Sequence, residues 1–136
     1  MPASTHTANA LKKLIANPLD KQSCIHALSN LTALTKLNLS SCNEVTDLSP
    51  LSDLTSLTNL DLSMCGCLAD LSPLSNLTSL TNLDISHCGC LTDLSPLSGL
   101  TALTELDIYA CDEVTDLSPI AGLTLNMRGV LILKPS

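Results

Sequence analysis

The stretch that decides the fold runs from Leu54 to Asn76 and reads LTSLTNLDLSMCGCLADLSPLSN. Near-copies lie on both sides of it, and each copy opens with a Leu-Thr pair. The opening leucines are 23 residues apart (54 minus 31, for example), at Leu31, Leu54, Leu77, Leu100 and Leu123. A fixed period of roughly 20–50 residues is typical of stacked repeats, in which each copy buries its apolar face against its neighbours. The sequence therefore predicts a solenoid, in which each repeat position becomes a column of side chains.

Each copy contains a short alternating segment followed by a turn signal. In the first copy, residues 36–40 read Lys-Leu-Asn-Leu-Ser, and this period of two predicts a short, half-buried strand. Residues 47–50 read Asp-Leu-Ser-Pro, which predicts a turn because the aspartate can accept backbone N–H groups and the proline fixes φ. The rest of the copy is long enough for a 3₁₀ turn but too short for an α-helix. One strand per copy, always in the same direction, predicts a parallel sheet with strands ~4.8 Å apart.

The pattern LxxLxLxxC spans residues 34–42 and recurs at 57–65, 80–88 and 103–111. It resembles the conserved segment of leucine-rich repeat proteins. The continuation CxxVTD or CxxLTD is similar to the cysteine-containing subclass, and DLSPLxxLTxL is similar to internalin-type repeats. The resemblance covers about residues 31–123 and implies an α/β leucine-rich repeat solenoid. In such a solenoid the parallel sheet lines the concave, ligand-presenting side, short 3₁₀ or turn segments form the convex side, and the role is protein–protein recognition.

The repeats divide the chain into three parts. Residues 1–30 are predicted to form a helical N-terminal cap, residues 31–122 four 23-residue repeats, and residues 123–136 a degenerate C-terminal repeat or cap. Leu11, Leu14 and Ile15 have helical spacing, and a stack needs atypical units at its ends. A degenerate first repeat is the alternative. In the last copy Asn126 stands where a leucine is expected, and the apolar residues 130–133 predict a terminal strand that either caps the stack or pairs with a second molecule.

Composition excludes several classes of partner. The net charge of −7 argues against nucleic acid and anionic membrane surfaces, which require Lys and Arg. Tyr109 is the single aromatic residue among Phe, Trp and Tyr, so a base-stacking platform is not available. No apolar run reaches the ~18 residues of a membrane span. The N-terminus lacks a basic start followed by an apolar core, so no signal peptide is predicted. Seven cysteines, an odd number placed by the repeat, predict reduced thiols in the cytoplasm.

An acidic column is predicted at the centre of the concave face. The strand centres place Asn38, Asp61, Asp84 and Asp107 in one row. Carboxylates ~5 Å apart repel by about 3 kcal/mol at an effective dielectric constant near 20, so the row favours a basic partner. A Ca²⁺ site is the lesser alternative because the ring of ligands is incomplete. We predict that the face binds a protein or peptide through Asn59, Asp61, Asn82, Asp84, Glu105, Asp107, His87 and Tyr109.

Two columns contain cysteine. The family resemblance implies that Cys42, Cys65, Cys88 and Cys111 are buried and bonded to backbone, and thiolates on a straight line cannot converge tetrahedrally on one metal ion. Cys67 and Cys90 share a position with Glu44 and Glu113, which predicts exposure. Their stacked spacing falls within the Cα range of a disulfide, roughly 4.4–6.8 Å. A disulfide or a soft-metal site is therefore an alternative to two free surface thiols, which a cytosolic setting favours.

The sequence predicts no enzyme and no cofactor. It contains no Gly-rich phosphate loop, HExxH or CxxC motif. His87 and Cys88 are adjacent, but strand parity predicts that they point apart. The aspartates at the start of the return turns are interpreted as turn caps: Asp47, Asp70, Asp93 and Asp116. The rival hypothesis is a structural or designed repeat module without a natural ligand, self-associating through its ends as a homodimer at the C-terminal edge.

Overall fold

A parallel sheet of short strands organises the fold. The computed structural model describes residues 29–121 and the backbone of residues 126–128. Within these residues the sheet order is β1-β2-β3-β4-β5. The strands are β1 (Lys36–Asn38), β2 (Asn59–Asp61), β3 (Asn82–Asp84), β4 (Glu105–Asp107) and β5 (Asn126–Arg128). The predicted helical N-terminal cap and the predicted strand at 130–133 lie outside the described residues.

A 3₁₀ turn follows each of the first four strands. These turns are η1 (Ser49–Leu51), η2 (Ser72–Leu74), η3 (Ser95–Leu97) and η4 (Ser118–Ile120). Each has a proline among its first positions, where the fixed φ of proline suits a tight turn and its missing N–H is not needed. The predicted alternation of strand and 3₁₀ turn is therefore present in all four repeats.

The register of the sheet follows the repeat length. Asn59 lies opposite Asn82, and Asp61 lies opposite Asp84. The last pair of strands differs, because Asp107 lies opposite Arg128, an offset of 21 residues (128 minus 107). Met127 therefore lies opposite Leu106 and holds the register position of the leucine. Counting in steps of 23 put Asn126 at the position of Leu103, and this was wrong, because the spacing from β4 to β5 is two residues shorter than a full repeat and Asn126 lies opposite Glu105.

The core is built from rows of equivalent side chains. The leucines at the strand centres are at most 3% exposed, and they are Leu37, Leu60, Leu83 and Leu106. Side chains on a strand alternate between its two faces, so these leucines point inward while their polar neighbours point outward. The leucines of the 3₁₀ turns close the core from the other side, as Leu51 and Leu74 are fully buried. A single repeat would expose its leucines to water, so the core forms only when several repeats stack.

The aspartates at 47, 70, 93 and 116 cap the 3₁₀ turns, as predicted. In the first repeat the Ser49 N–H donates to Asp47 Oδ1 at 2.9 Å, and the same bond recurs in the other three repeats. The backbone N–H of Ser72, and then its hydroxyl, lower the pKa of the Asp70 carboxyl. These hydrogen bonds favour the ionised form of the carboxyl, so the caps are strongest as carboxylates.

Candidate functional site

The acidic column lies at the ends of β2, β3 and β4 and not, as predicted from the sequence, at the strand centres, because the strands are only three residues long and leucine is the middle one. Asp61, Asp84 and Asp107 are half-buried and occupy successive positions of the sheet register. Adjacent strands of a sheet are ~4.8 Å apart, so the three aspartates belong to neighbouring strands on the face that points away from the core. Asn38 precedes them on β1, and Arg128 follows them in the register on β5.

Each member of this column also ends its strand. Asp61 Oδ1 accepts hydrogen bonds from the Ser63 N–H at 2.9 Å and from the Ser63 hydroxyl at 2.6 Å. Asp84 Oδ1 accepts the equivalent pair from Ser86 at 3.0 and 2.7 Å. In the first repeat Asn38 Oδ1 accepts the Ser40 N–H at 2.9 Å. Our sequence analysis missed this turn-forming role, although the same Asp-x-Ser spacing had indicated it for Asp47.

The residues that follow these turns have left-handed backbone conformation. Their φ values are 63° at Ser41, 61° at Met64, 59° at His87 and 59° at Ala110. A non-glycine residue in this region is uncommon and costs roughly 1–2 kcal/mol. The same strained conformation in four repeats shows that the stack fixes the direction in which the chain leaves the sheet. His87 and Met64 are exposed as a result.

The two predicted ring contacts lie together at this edge of the sheet. The rings of His87 and Tyr109 have centroids 5.4 Å apart at an angle of 64°, an edge-to-face arrangement. Tyr109 is 53% exposed, and Met64, one repeat before His87, is 52% exposed. We call these three residues the rim. Met64 is a member that the sequence analysis missed; its position 23 residues before His87 was the available signal.

The remaining predicted contacts begin the strands and already bond to protein groups. Asn82 Nδ2 donates to Glu105 Oε1 on the neighbouring strand. The Thr81 hydroxyl donates to Asn82 Oδ1 at 2.7 Å, and the Thr58 hydroxyl donates to Asn59 Oδ1 at 2.8 Å. A partner that binds this row must therefore share or replace these hydrogen bonds. The structure thus places all eight predicted residues on one connected surface, in a starting row, a central acidic row and the rim.

A threonine ladder fixes the start of the strands, and sequence reasoning did not find it. The Thr58 hydroxyl lies 3.1 Å from the Thr35 carbonyl oxygen, and the Thr81 hydroxyl lies 3.0 Å from the Thr58 carbonyl oxygen. Each hydroxyl shares its single hydrogen between this carbonyl oxygen and the asparagine side chain that follows it. The Thr104 hydroxyl continues the ladder to Thr81 at 3.2 Å. These bonds tie each repeat to the preceding one at the position where the strands begin.

The inner cysteine column is structural. The thiols of Cys65, Cys88 and Cys111 donate to backbone carbonyl oxygens of the preceding repeat at 3.3, 3.2 and 2.9 Å. Burial raises the pKa of Cys88 to about 12 and also raises the pKa of Cys111. Because the thiolate is the reactive form, these cysteines are poor nucleophiles and poor metal ligands. The predicted burial of this column is confirmed.

The outer cysteines and His87 do not form a catalytic arrangement with this column. Cys67 and Cys90 are exposed, as predicted. His87 is exposed whereas the neighbouring Cys88 is buried, so the two side chains lie on different sides of the chain. Among the described residues, no group of three or more His, Cys, Asp and Glu side chains could hold a metal ion. The chemistry that this surface offers is therefore hydrogen bonding, negative charge and aromatic contact.

Comparison with known proteins identifies the repeat. A family profile described as leucine-rich repeats (2 copies) matches residues 32–76, 55–99 and 78–122. A search of curated proteins gave no match. Within the described part of the chain, no helix has the length and apolar character needed to cross a membrane.

Two similar solved structures are internalins of Listeria monocytogenes. An internalin (inlF) is 32% identical with a TM-score of 0.55, and the match covers 76% of this chain and 36% of that one. An internalin C2 (inlC2) is 27% identical with a TM-score of 0.47, over 76% of this chain and 56% of the other. The chain thus spans about a third and about half of the lengths of these two proteins. This protein belongs to the leucine-rich repeat family, and its repeats are of the internalin-like kind.

Proposed function

We propose that this protein is a non-catalytic interaction module that binds a basic protein or peptide through its concave sheet face. Leucine-rich repeat proteins are generally scaffolds for protein interaction, and the internalin-like repeats agree with that role. The observation that carries the proposal is the alignment of Asp61, Asp84 and Asp107 on neighbouring strands. No Lys or Arg occurs between residues 38 and 127, so the strands β2, β3 and β4 carry no positive charge, and the basic residues in the register are Lys36 on β1 and Arg128 on β5 at its two ends.

The surrounding residues supply direction and specificity to the proposed contact. Glu105 adds a carboxylate beside the acidic row, and Asn59 and Asn82 offer amide groups at the starts of their strands. His87 and Tyr109 offer exposed rings at the opposite ends. Tyr and Arg are enriched at protein interfaces, where Arg also stacks on aromatic faces. A partner with Lys or Arg over the row and an Arg or apolar side chain over the rim fits this arrangement.

The test is to neutralise the row without disturbing the fold. Asn38 shows that asparagine can accept the turn-forming N–H at this position, so a triple variant Asp61→Asn, Asp84→Asn, Asp107→Asn keeps the turns and loses three charges. We expect isothermal titration with a lysine-rich peptide at low salt to show binding to the natural protein. The variant should bind at least about tenfold more weakly, since each charge contact is worth up to about 1 kcal/mol at an exposed site.

A matched control removes the same charge elsewhere. The variant Glu44→Gln, Asp112→Asn, Glu113→Gln changes three exposed acids away from the strands. It should retain most of the affinity for the peptide. An equal loss in both variants would show that net charge, and not the sheet face, determines binding and would overturn the proposal.

The second candidate is a structural or designed module without a natural ligand, self-associating through its ends. The near-identity of the repeats favours it, as does the exposed backbone that an edge strand offers to another chain. Light scattering tests it: this candidate requires a dimer that dissociates in the variants Val130→Lys and Ile132→Lys. A monomer at all concentrations would exclude it.

We also propose that the protein works in a reducing compartment such as the cytoplasm. The odd number of cysteines, placed by the repeat and not by a cross-linking pattern, supports this location. Rapid alkylation of cell extracts, followed by mass spectrometry, should find all seven cysteines as thiols. Recovery of the protein with stable disulfides would contradict the proposal.

A further inference from the structure

Cys67 and Cys90 occupy the same position in two identical turns. The turn at 65–68 is closed by the Leu68 N–H donating to the Cys65 carbonyl oxygen at 3.0 Å, and the turn at 88–91 by the equivalent bond at 3.2 Å. Each outer cysteine is the third residue of its turn and is exposed. The two turns have the same hydrogen bond and the same sequence, Cys-Gly-Cys-Leu.

A backbone hydrogen bond shows that the repeat register extends to the start of these turns. The Met64 N–H donates to the Ser86 carbonyl oxygen at 2.8 Å, just before the turns. Between the first and second repeats, the Gly66 N–H donates to Asn43 Oδ1 at 3.2 Å, so those two neighbouring turns are within reach of one asparagine side chain. Strands of a sheet are ~4.8 Å apart, and disulfides need Cα atoms roughly 4.4–6.8 Å apart. At the strand spacing, residues 67 and 90 would meet that requirement.

The other described cysteines do not compete for this chemistry. Cys65 and Cys88 are 0% exposed, and their thiols donate to carbonyl oxygens of the preceding repeat. Access and thiolate character decide which cysteines react. The pair at 67 and 90 is therefore the accessible one in the second and third repeats.

We infer that Cys67 and Cys90 are a redox-active thiol pair whose oxidation joins the second and third repeats by a disulfide. The oxidant is a low-molecular-weight disulfide such as oxidised glutathione. The thiolate of one cysteine attacks a glutathione sulfur, forms a mixed disulfide and releases one glutathione thiolate. The second cysteine thiolate attacks the protein sulfur of the mixed disulfide and releases the other. Two electrons and two protons pass from the protein thiols, and two reduced glutathione molecules result.

This bond would close a loop of one repeat and hold two neighbouring repeats together. A covalent link constrains the unfolded chain and raises the stability of the folded one. The second and third repeats carry Asp61 and Asp84, but the inference does not depend on what the sheet face binds. It concerns the turns beyond the strand ends and stands or fails separately from the proposed function.

The experiment uses the full chain with Cys24→Ser, which removes the cysteine outside the described residues. After treatment with oxidised glutathione, we expect the number of accessible thiols to fall by two, with no glutathione left attached to the protein. Mass spectrometry should then show the loss of two hydrogens and a peptide cross-linked between Cys67 and Cys90. Urea denaturation of the oxidised protein should have a higher midpoint, and dithiothreitol should reverse the shift. A stable glutathione adduct on each cysteine, or a disulfide-linked dimer, would overturn the inference.

Relocating the pair gives matched controls, because Glu113 occupies the same position one repeat later. The variant Cys67→Ser, Glu113→Cys places thiols at neighbouring positions 90 and 113 and should cross-link at a similar rate. The variant Cys90→Ser, Glu113→Cys separates the thiols by two repeats, beyond disulfide reach, and should instead acquire glutathione. Equal intramolecular cross-linking in both variants would show that the loops move freely and that stacking does not select the pair.

Discussion

At the scale of single residues, the aspartate that ends β2, β3 and β4 has two roles. Its Oδ1 accepts the N–H two residues later, at 2.9 Å in Asp61 and 3.0 Å in Asp84. The carboxylate still brings its charge to the sheet face, whereas Asn38 performs the turn role without charge. Because asparagine suffices for the turn, the structure alone does not require the three acids, and their charge is what the proposed function uses.

The inner cysteines act as small core residues with one directed bond. Replacing Cys88 by alanine removes the thiol that donates to the Leu62 carbonyl oxygen at 3.2 Å and leaves a small cavity. We predict a loss of about 1–2 kcal/mol in the free energy of unfolding, measured by urea denaturation. The control is Cys90→Ala, an exposed cysteine of the same repeat, which should change stability by less than about 0.5 kcal/mol. Equal effects would contradict the structural role of the inner column.

The same cysteine predicts sensitivity to alkali. The pKa of Cys88 rises from 9.0 to about 12 on folding because burial disfavours the thiolate. Its contribution to stability is therefore complete below pH 9.0 and is lost as the pH rises toward about 12, because the unfolded chain ionises first. We predict that the free energy of unfolding falls above pH 9, and that Cys88→Ala weakens this dependence. An unchanged slope in the variant would show that other groups control it.

At the scale of elements, the functional unit is a three-residue strand with the turn that follows it. Alternation of leucine with polar residues predicted the strands, and the Asp-Leu-Ser-Pro segment predicted the 3₁₀ turns. The left-handed residue after the strand was not predictable, because Ser41, Met64, His87 and Ala110 share no chemistry that signals positive φ. The threonine ladder was missed for a related reason: its hydroxyls bond across repeats, outside the alternating pattern.

The left-handed position makes a prediction about glycine. Ala110 has a φ of 59°, a conformation that glycine adopts without steric penalty. We predict that Ala110→Gly stabilises the protein by about 0.5–1 kcal/mol. This is the free energy gained by removing the steric strain, minus the cost of ordering a more flexible unfolded chain. Chemical denaturation measures the difference. Ala102 is also in a turn but is not among the described residues with positive φ, so Ala102→Gly should destabilise; stabilisation by both would contradict the assignment.

At the scale of the whole molecule, equal repeat length converts sequence positions into columns. Counting in steps of 23 placed Asp61, Asp84 and Asp107 in one row, and the register confirms it. The same counting failed at β5, because the chain before it is two residues shorter and only the backbone pairing shows which residues meet. No column of residues identifies the binding partner, because a repeated surface shows charge and shape but not which molecule is complementary to them.

The stacking account predicts that one repeat can be removed as a unit. Deleting residues 78–100 joins Leu77 to Thr101 and restores the Leu-Thr sequence at the junction. We predict a folded protein with a parallel sheet and a lower urea midpoint, because stability in repeat stacks is roughly a sum over repeats and their interfaces. The control deletion of residues 78–99 leaves one extra residue at the junction and should give a less stable protein. Greater stability in the control would contradict the fixed register.

The most direct test of the central claim, that the acidic row on the sheet face is the binding surface, is NMR mapping with a lysine-rich peptide. We predict that amide shifts concentrate at residues 59–64, 82–87 and 105–109, which include the strands and the rim, and that added salt reverses them. The 3₁₀ turns at 49–51, 72–74 and 95–97 serve as the internal reference and should change little. Shifts concentrated on those turns, with the strands unchanged, would contradict the account.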